Sequence, residues 1–158
     1  MTKKEILEHY NSFILRINDR LHKATSLLQK EKLSYSIEEI DQMGILYGQY
    51  ITGNKVVGDW EDETFEVFVT YCGEAWMHYF GGQWEITLRK TDWNYRYPMI
   101  INWGPKGYPW ISIAPLDWAR LIEDGDEDPL SLPWRRNLHY FSVTSEWDFK
   151  HLNMKQDE

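Results

Sequence analysis

The chain has 158 residues, 25 acidic against 17 basic side chains for a net charge of −8, and one cysteine. Such a length suits a single domain whose core needs no disulfide or metal to hold it, and the charge disfavours phosphate backbones and anionic lipid, which bind through Lys and Arg. Cys72 has no disulfide partner within the chain, the charged start Met1-Thr2-Lys3-Lys4-Glu5 has no signal-like apolar stretch behind it, and Pro98, Gly104, Pro105 and Gly107 break the most apolar region, so a reducing cytoplasm is the expected setting.

Thr2 and Glu5 form a capping box, and Ile6, Tyr10, Phe13, Ile14, Ile17, Leu21, Ala24 and Leu28 then recur at three- and four-residue steps. This spacing predicts one continuous amphipathic helix to about Lys30. A second box, Ser36 with Glu39, opens a helix with the apolar face Ile37, Ile40, Met43, Tyr47 and Ile51, closed by Gly53-Asn54 and packed antiparallel to the first. Asp62 caps a third helix, which stops at Gly81-Gly82 and carries Phe65, Phe68, Val69, Cys72 and Trp76 on its core stripe. Its Glu66, Thr70, Glu74 and His78 read as a solvated stripe. Gly48 and Gly73 lie inside helices, where glycine is unfavourable by about 1 kcal/mol, and so point to close crossings.

Beyond Gly82 the period changes to two. Trp84, Ile86 and Leu88 alternate with Glu85, Thr87 and Arg89 as a half-buried strand, and Met99 to Trp103 and Pro109 to Ile113 read as two more strands joined across Gly104-Pro105-Lys106-Gly107. Pro115 opens a short helix through Trp118, Leu121 and Ile122 that ends at Gly125. Leu138 to Thr144 reads as a strand, and Ser145 onward as a short helix that frays into Asn153 to Glu158. The elements predict an α+β fold, with N-terminal helices packed on a small, mainly antiparallel sheet and a further short helix near the C-terminus. One domain is expected over residues 1–158, helical over 1–82 and strand-rich and aromatic over 83–158.

The nine tryptophans all fall between Trp60 and Trp147, and the whole excess of acid falls over residues 61–158, since residues 1–60 balance eight basic against eight acidic side chains. Tryptophan is rarely completely buried, so some of these rings should meet solvent where a partner can reach them. Alternation in Trp93-Asn94-Tyr95-Arg96-Tyr97 predicts a flat platform with three rings on one face, suited to stacking on a sugar or anchoring a protein, although the same rings could fill the layer between sheet and helices. The run Glu123-Asp124-Gly125-Asp126-Glu127-Asp128 resembles a calcium loop only at its front. Counted from Asp124, the sixth and twelfth positions are Pro129 and Arg135 where glycine and glutamate are required. It reads instead as a solvated acidic turn after a helix, or as a docking site for a basic surface.

Chemistry has few candidates. Glu74 and His78 share a helical face, but as a general-base pair they compete with the plain reading of a solvated stripe. The histidines lack ligand spacing, Cys72 sits on an apolar stripe, and Gly53 to Gly58 lacks the Lys-Ser/Thr of a phosphate loop. No catalytic residue, metal site or cofactor is therefore assigned.

The segment Tyr71-Cys72-Gly73-Glu74-Ala75-Trp76 leading to Gly81-Gly82-Gln83-Trp84-Glu85, followed by Ile113-Ala114-Pro115-Leu116-Asp117-Trp118 and Glu123-Asp124-Gly125, resembles small bacterial domains, some of which are similar to immunity proteins of polymorphic toxin systems. The resemblance covers residues 40–128. It implies a compact cytoplasmic α+β protein that neutralises a cognate toxin by binding it, and it offers no catalytic residues.

The leading expectation is a protein-binding, inhibitory role with a basic toxin domain as partner and with neither nucleic acid nor membrane involved. Asp59, Trp60, Glu61 and Asp62 in one loop and Asp124, Asp126, Glu127 and Asp128 in another supply charge for steering, while Trp93, Tyr95 and Tyr97 supply anchors. The competing expectation is a carbohydrate or small-molecule binder, or a hydrolase using Glu74 and Glu85 beside the aromatic platform.

Overall fold

A computed structural model describes residues 1–104 and 112–134. The elements in order are α1 (Lys3–Leu15), α2 (Ile17–Leu28), α3 (Ile37–Asn54), α4 (Glu63–Phe80), β1 (Gln83–Glu85), β2 (Met99–Ile101) and α5 (Pro115–Glu123). This is an α+β arrangement of helices packed on a small two-stranded antiparallel sheet, with a short helix toward the C-terminus. In the sheet, Gln83 pairs with Ile101, Trp84 with Ile100 and Glu85 with Met99, and Ile113 forms an isolated bridge to Ile100. The expected strand over Trp84 to Leu88 therefore ends at Glu85. The segment expected to join the hairpin, Pro105 to Gly107, and the tail from Leu138 lie outside the described residues.

The expected single N-terminal helix is two helices. Thr2 and Glu5 make the complete capping box, with the Thr2 amide donating to Glu5 Oε2 at 2.6 Å and the Glu5 amide to Thr2 Oγ1 at 3.2 Å. The helix breaks at Arg16, whose amide turns to the Ser12 and Phe13 carbonyls. Arg20, 2% exposed, is bonded at the break: its guanidinium donates to the Phe13 carbonyl at 2.7 Å and to Glu66 Oε2 at 2.8 Å, and stacks over the Phe13 ring. A buried guanidinium must be paired, and the Phe13 carbonyl, which also accepts from the Arg16 amide, supplies the pairing together with Glu66. Ile14 and Leu15 consequently turn out to solvent beside the break.

Ser36 caps α3 as expected, with its hydroxyl accepting from the Glu39 amide. Glu39 departs from the usual box. Its side chain is fully buried, accepts from the Ser34 and Tyr35 amides and from Tyr71 Oη at 2.9 Å, and is paired with Lys30. One carboxylate thus fastens the α2–α3 connection to α4. Helix α3 ends at Asn54, within the Gly53-Asn54 expected to close it. Lys55 takes the left-handed cap conformation, and the Asn54 side-chain NH2 donates to the Tyr50 carbonyl at 2.9 Å.

Helix α4 begins at the Asp62 cap and stops at Gly81, as the sequence indicates. Its surroundings differ from the amphipathic expectation, because α2, α3, α5 and β2 all pack on it. Thr70 and Tyr71 are fully buried, and the supposed solvated stripe is largely engaged: Glu66 binds Arg20, and Glu74 accepts from the Trp84 indole at 2.9 Å. At the core, Trp76 meets Phe80, Trp103, Trp118 and Trp134 with ring centroids 4.6 to 5.8 Å apart. Gly73 is the close crossing, although its neighbour is a ring: a Cβ there would lie 2.0 Å from Trp84 Cη2. Gly48 has no such constraint, since its Cβ would make only an ordinary contact of 3.5 Å with Ile122.

Two outcomes follow for stability. Gly73→Ala forces the Trp84 ring off its contacts with Phe13 and Glu74 and should lower unfolding free energy by about 1–3 kcal/mol, whereas Gly48→Ala should leave it unchanged or raise it by up to about 1 kcal/mol. Denaturant titration of both variants measures the contrast. For Glu39, burial alone raises the carboxyl pKa, but the bonds from Lys30, the Ser34 and Tyr35 amides and Tyr71 outweigh it and bring the value to about 2. The native carboxyl is therefore the stronger acid. Its stabilising contribution is complete above the ordinary value of 4.5 and is lost as pH falls from there toward about 2. A pH series of thermal melts should show this slope in the parent chain and a flatter one in Glu39→Gln.

Candidate functional site

The proposed site residues come from three chain segments, and the structure arranges all three along α5. The first is the connector between α3 and α4. Its Gly58 is buried with both backbone groups engaged: the amide donates to Glu123 Oε1 at 2.9 Å, and the carbonyl accepts from Arg120 at 2.8 Å. Tyr47 Oη donates to the same Glu123 oxygen at 2.5 Å, and Arg120 is also paired with Glu123. Only glycine fits here, because a Cβ would stand 2.4 Å from the Phe65 ring and 2.5 Å from Tyr47 Oη. The Glu123 carboxylate is 3% exposed, so three converging donors compensate its lost hydration.

Asp59 follows immediately and stays exposed. It accepts from Tyr97 Oη at 2.6 Å and from the Trp60 amide at 2.8 Å, with Arg96 3.7 Å away. Partial burial alone would raise its pKa, but the Tyr97 hydroxyl, the Trp60 amide and the nearby guanidinium groups hold it below the ordinary carboxylate value. Trp60, expected to be reachable, is only 6% exposed and packs between His9 and Tyr97. Asp62 is engaged as the α4 cap and as acceptor for Tyr50 Oη at 3.0 Å, while Glu61 is exposed.

The aromatic platform is not formed. Residues 93–97 follow successive turns, with Tyr95 N–H bonded to the Asp92 carbonyl, Tyr97 N–H to that of Asn94, and Arg96 at φ 67°. Asp92 and Asn94 are turn formers, and here they prevail over the aromatic alternation. The faces separate accordingly: Asn94 is buried, Tyr95 is half-buried, and Tyr97 turns inward onto Trp60 and Phe65, with the Arg120 guanidinium 6.0 Å from its ring centre. Trp93 alone points outward. At 86% exposed it is the most exposed large apolar side chain among the described residues, and its indole N–H donates to Asp117 Oδ1 at 2.8 Å in the first turn of α5.

At the other end of α5 the chain leaves through Asp124 and Gly125. The amides of Asp124, Gly125 and Asp126 satisfy the carbonyls of Arg120, Ile122 and Leu121, and Asp126 Oδ1 accepts from the Asp128 amide at 2.9 Å. With the helix end closed by backbone bonds, Asp124, Glu127 and Asp128 remain exposed and Asp126 half-buried. The Ser131 amide then binds Asp41, which fastens the far side of the loop to α3.

The result is a strip along α5 with Trp93 over Asp117 at one end, Asp59 beside the Arg120–Glu123 clamp, and the Asp124 to Asp128 loop at the other, while Glu61 lies apart from it, in the hollow beside α1. Sequence reasoning named both acidic loops and Trp93. It missed Gly58, Asp117, Arg120 and Glu123, which bring them together. The available signals were a glycine in a short connector and an Arg-Glu pair three apart on a proline-initiated helix, and neither specifies a long-range partner.

Other chemical candidates are occupied. Glu74 is bonded to Trp84 and Glu85 to the Ile86 amide, so the carboxylates considered for hydrolysis each serve a local structural contact. His78 lies against the Tyr35 and Tyr79 rings. Cys72 is fully buried, and burial pushes its thiol well above the ordinary value. Among the described residues no group of three His, Cys, Asp or Glu side chains could hold a metal ion, and no helix is long and apolar enough to cross a membrane. A polar hollow of about 490 Å³ between α1 and the Trp60 connector contains paired charges, Arg20 with Glu66 and Arg16 with Glu63. The chain matches no protein-family model, no curated protein and no solved structure.

Glu123→Ala should leave Tyr47 Oη, the Gly58 amide and Arg120 without their acceptor and reduce stability by about 2–3 kcal/mol. Hydrogen exchange at the Gly58 amide should accelerate more than exchange in the middle of α4. Equal acceleration at both positions would mean that the clamp does not act locally.

Proposed function

We propose that this chain is a protein-binding inhibitor of the immunity type, which neutralises a basic toxin domain by presenting the strip along α5. The observation that carries the reading is Trp93: a large ring, 86% exposed, tethered by its indole N–H to Asp117 and set in a strip that also holds Asp59 and the Asp124 to Asp128 loop. An isolated exposed tryptophan contributes little to a fold, but one held by a hydrogen bond loses little further freedom on binding, which is what an interface anchor requires. The carboxylates around it favour a basic surface, speed encounter, and disfavour nucleic acid and anionic membranes. The setting in this proposal is a reducing cytoplasm, which suits a buried thiol kept unreactive by its surroundings.

The test is capture of proteins from a lysate of the native host, with the parent chain, Trp93→Ala, and a triple variant carrying Asp124→Lys, Asp126→Lys and Asp128→Lys as baits. The parent should hold a basic protein in stoichiometric amount at low salt and release it at high salt. The captured protein should bind each variant at least about tenfold more weakly. The altered side chains contribute little to the fold beyond the Asp126 bond to the Asp128 amide, so stability should fall by no more than about 1.5 kcal/mol. Undiminished binding by the triple variant would sink the reading.

A further inference from the structure

We propose that the chain forms a twofold dimer through the open edge of β1. The ladder itself supplies the first observation. Ile100 commits its amide and carbonyl to Ile113, at 2.8 and 2.9 Å, on the side of β2 away from β1. Bonded and non-bonded pairs alternate in an antiparallel ladder, so Gln83 with Ile101 and Glu85 with Met99 are the bonded pairs and Trp84 with Ile100 is not. The Trp84 amide and carbonyl therefore point away from β2, and neither has a hydrogen-bond partner among the described residues. An open edge of this kind is a template for another strand.

The second observation is what borders that edge. A groove of about 700 Å³ runs between the α1–α2 break and β1, with Tyr10, Ile14, Leu15, Met77 and Trp84 prominent in its lining. None of the residues lining it is charged, in a chain where 27% of residues are. Leu15, turned outward by the break at Arg16, is 84% exposed at its rim.

Charge selects the occupant. Two copies of a chain with net charge −8 repel each other, and most strongly where the acid is concentrated. This face avoids that repulsion, since its lining is uncharged and α1 and α2 belong to the charge-balanced first sixty residues. The one acid of the edge strand, Glu85, accepts from the Ile86 amide. In a Trp84-centred antiparallel pair it stands opposite Gln83 of the other copy, so a second copy presents a matching surface in which like charges are not set opposite each other. A twofold axis at Trp84 is self-complementary: Trp84 of one copy, set antiparallel to Trp84 of the other, makes a bonded pair that uses both free backbone groups on each side. The two small sheets then join into four strands in the order β2-β1-β1-β2, and the strip along α5 is presented twice on one particle.

Sedimentation velocity from low to high micromolar concentration tests this on the full chain, with Leu15→Glu as the disrupting variant and Ile45→Glu, on the exposed face of α3, as the control. Both positions are exposed, so circular dichroism should show all three chains equally folded. The parent and Ile45→Glu should reach twice the chain mass with rising concentration, while Leu15→Glu should associate at least about tenfold more weakly, equivalent to about 1.4 kcal/mol. The Trp84 amide should be protected from hydrogen exchange in the dimer and lose that protection in Leu15→Glu. A parent that stays monomeric throughout overturns the proposal, and would leave the edge to a foreign strand. A dimer that survives Leu15→Glu, or that Ile45→Glu weakens equally, overturns it by placing the contact elsewhere.

Discussion

The structure depends on the burial of the middle of α4, from Val67 to Trp76, and that burial centres on Trp76. The Trp76 ring is fully buried and meets Trp103 just past β2, Trp118 on α5 and Trp134 beyond the acidic loop, so three separate segments are fixed to one side chain. Each ring contact adds about 0.5–1.5 kcal/mol beyond the area buried. A helix enclosed in this way cannot leave its polar groups to water. Hence Thr70 bonds back to the Glu66 carbonyl, Glu66 meets Arg20, and Tyr71 reaches Glu39. The internal ion pairs follow from the aromatic core, and each one specifies where a neighbouring helix must lie.

Local signals in the sequence translated well into structure. The Thr2–Glu5 box, the Ser36 and Asp62 caps, the stop at Gly81 and the proline start of α5 all lie within a few residues of the groups they satisfy, so their meaning is contained in the local chain. Distant partners were not legible. The break at Arg16 depends on Glu66 accepting from Arg20 across 46 positions, while the apolar period continues through the break undisturbed. The platform over Trp93 to Tyr97 failed for a related reason: alternation describes spacing, but turn chemistry at Asp92 and Asn94 decided the backbone.

The same distinction applies to the site. Composition supports the expectation that some tryptophans meet solvent, but not that Trp93 does so while Trp60 is buried. It also marks the acidic loops. Their convergence rests on Glu123, which the sequence places among solvated carboxylates and the fold places beneath them, 3% exposed and holding Gly58, Tyr47 and Arg120. The molecule thus presents two unlike surfaces. One is acidic and organised by α5, and the other is uncharged and organised by the α1–α2 break and the β1 edge.

The Glu123 clamp joins residues far apart in sequence: Tyr47 Oη meets it across 76 positions and the Gly58 amide across 65. Contacts of such separation form late, after shorter loops have closed. During synthesis the α3–α4 connector leaves the ribosome long before α5 exists to receive it, so a nascent chain carries the Asp59 loop without the geometry that makes it part of a surface. The strip along α5 is therefore a property of the completed fold, and a partner that reads it discriminates finished molecules from fragments.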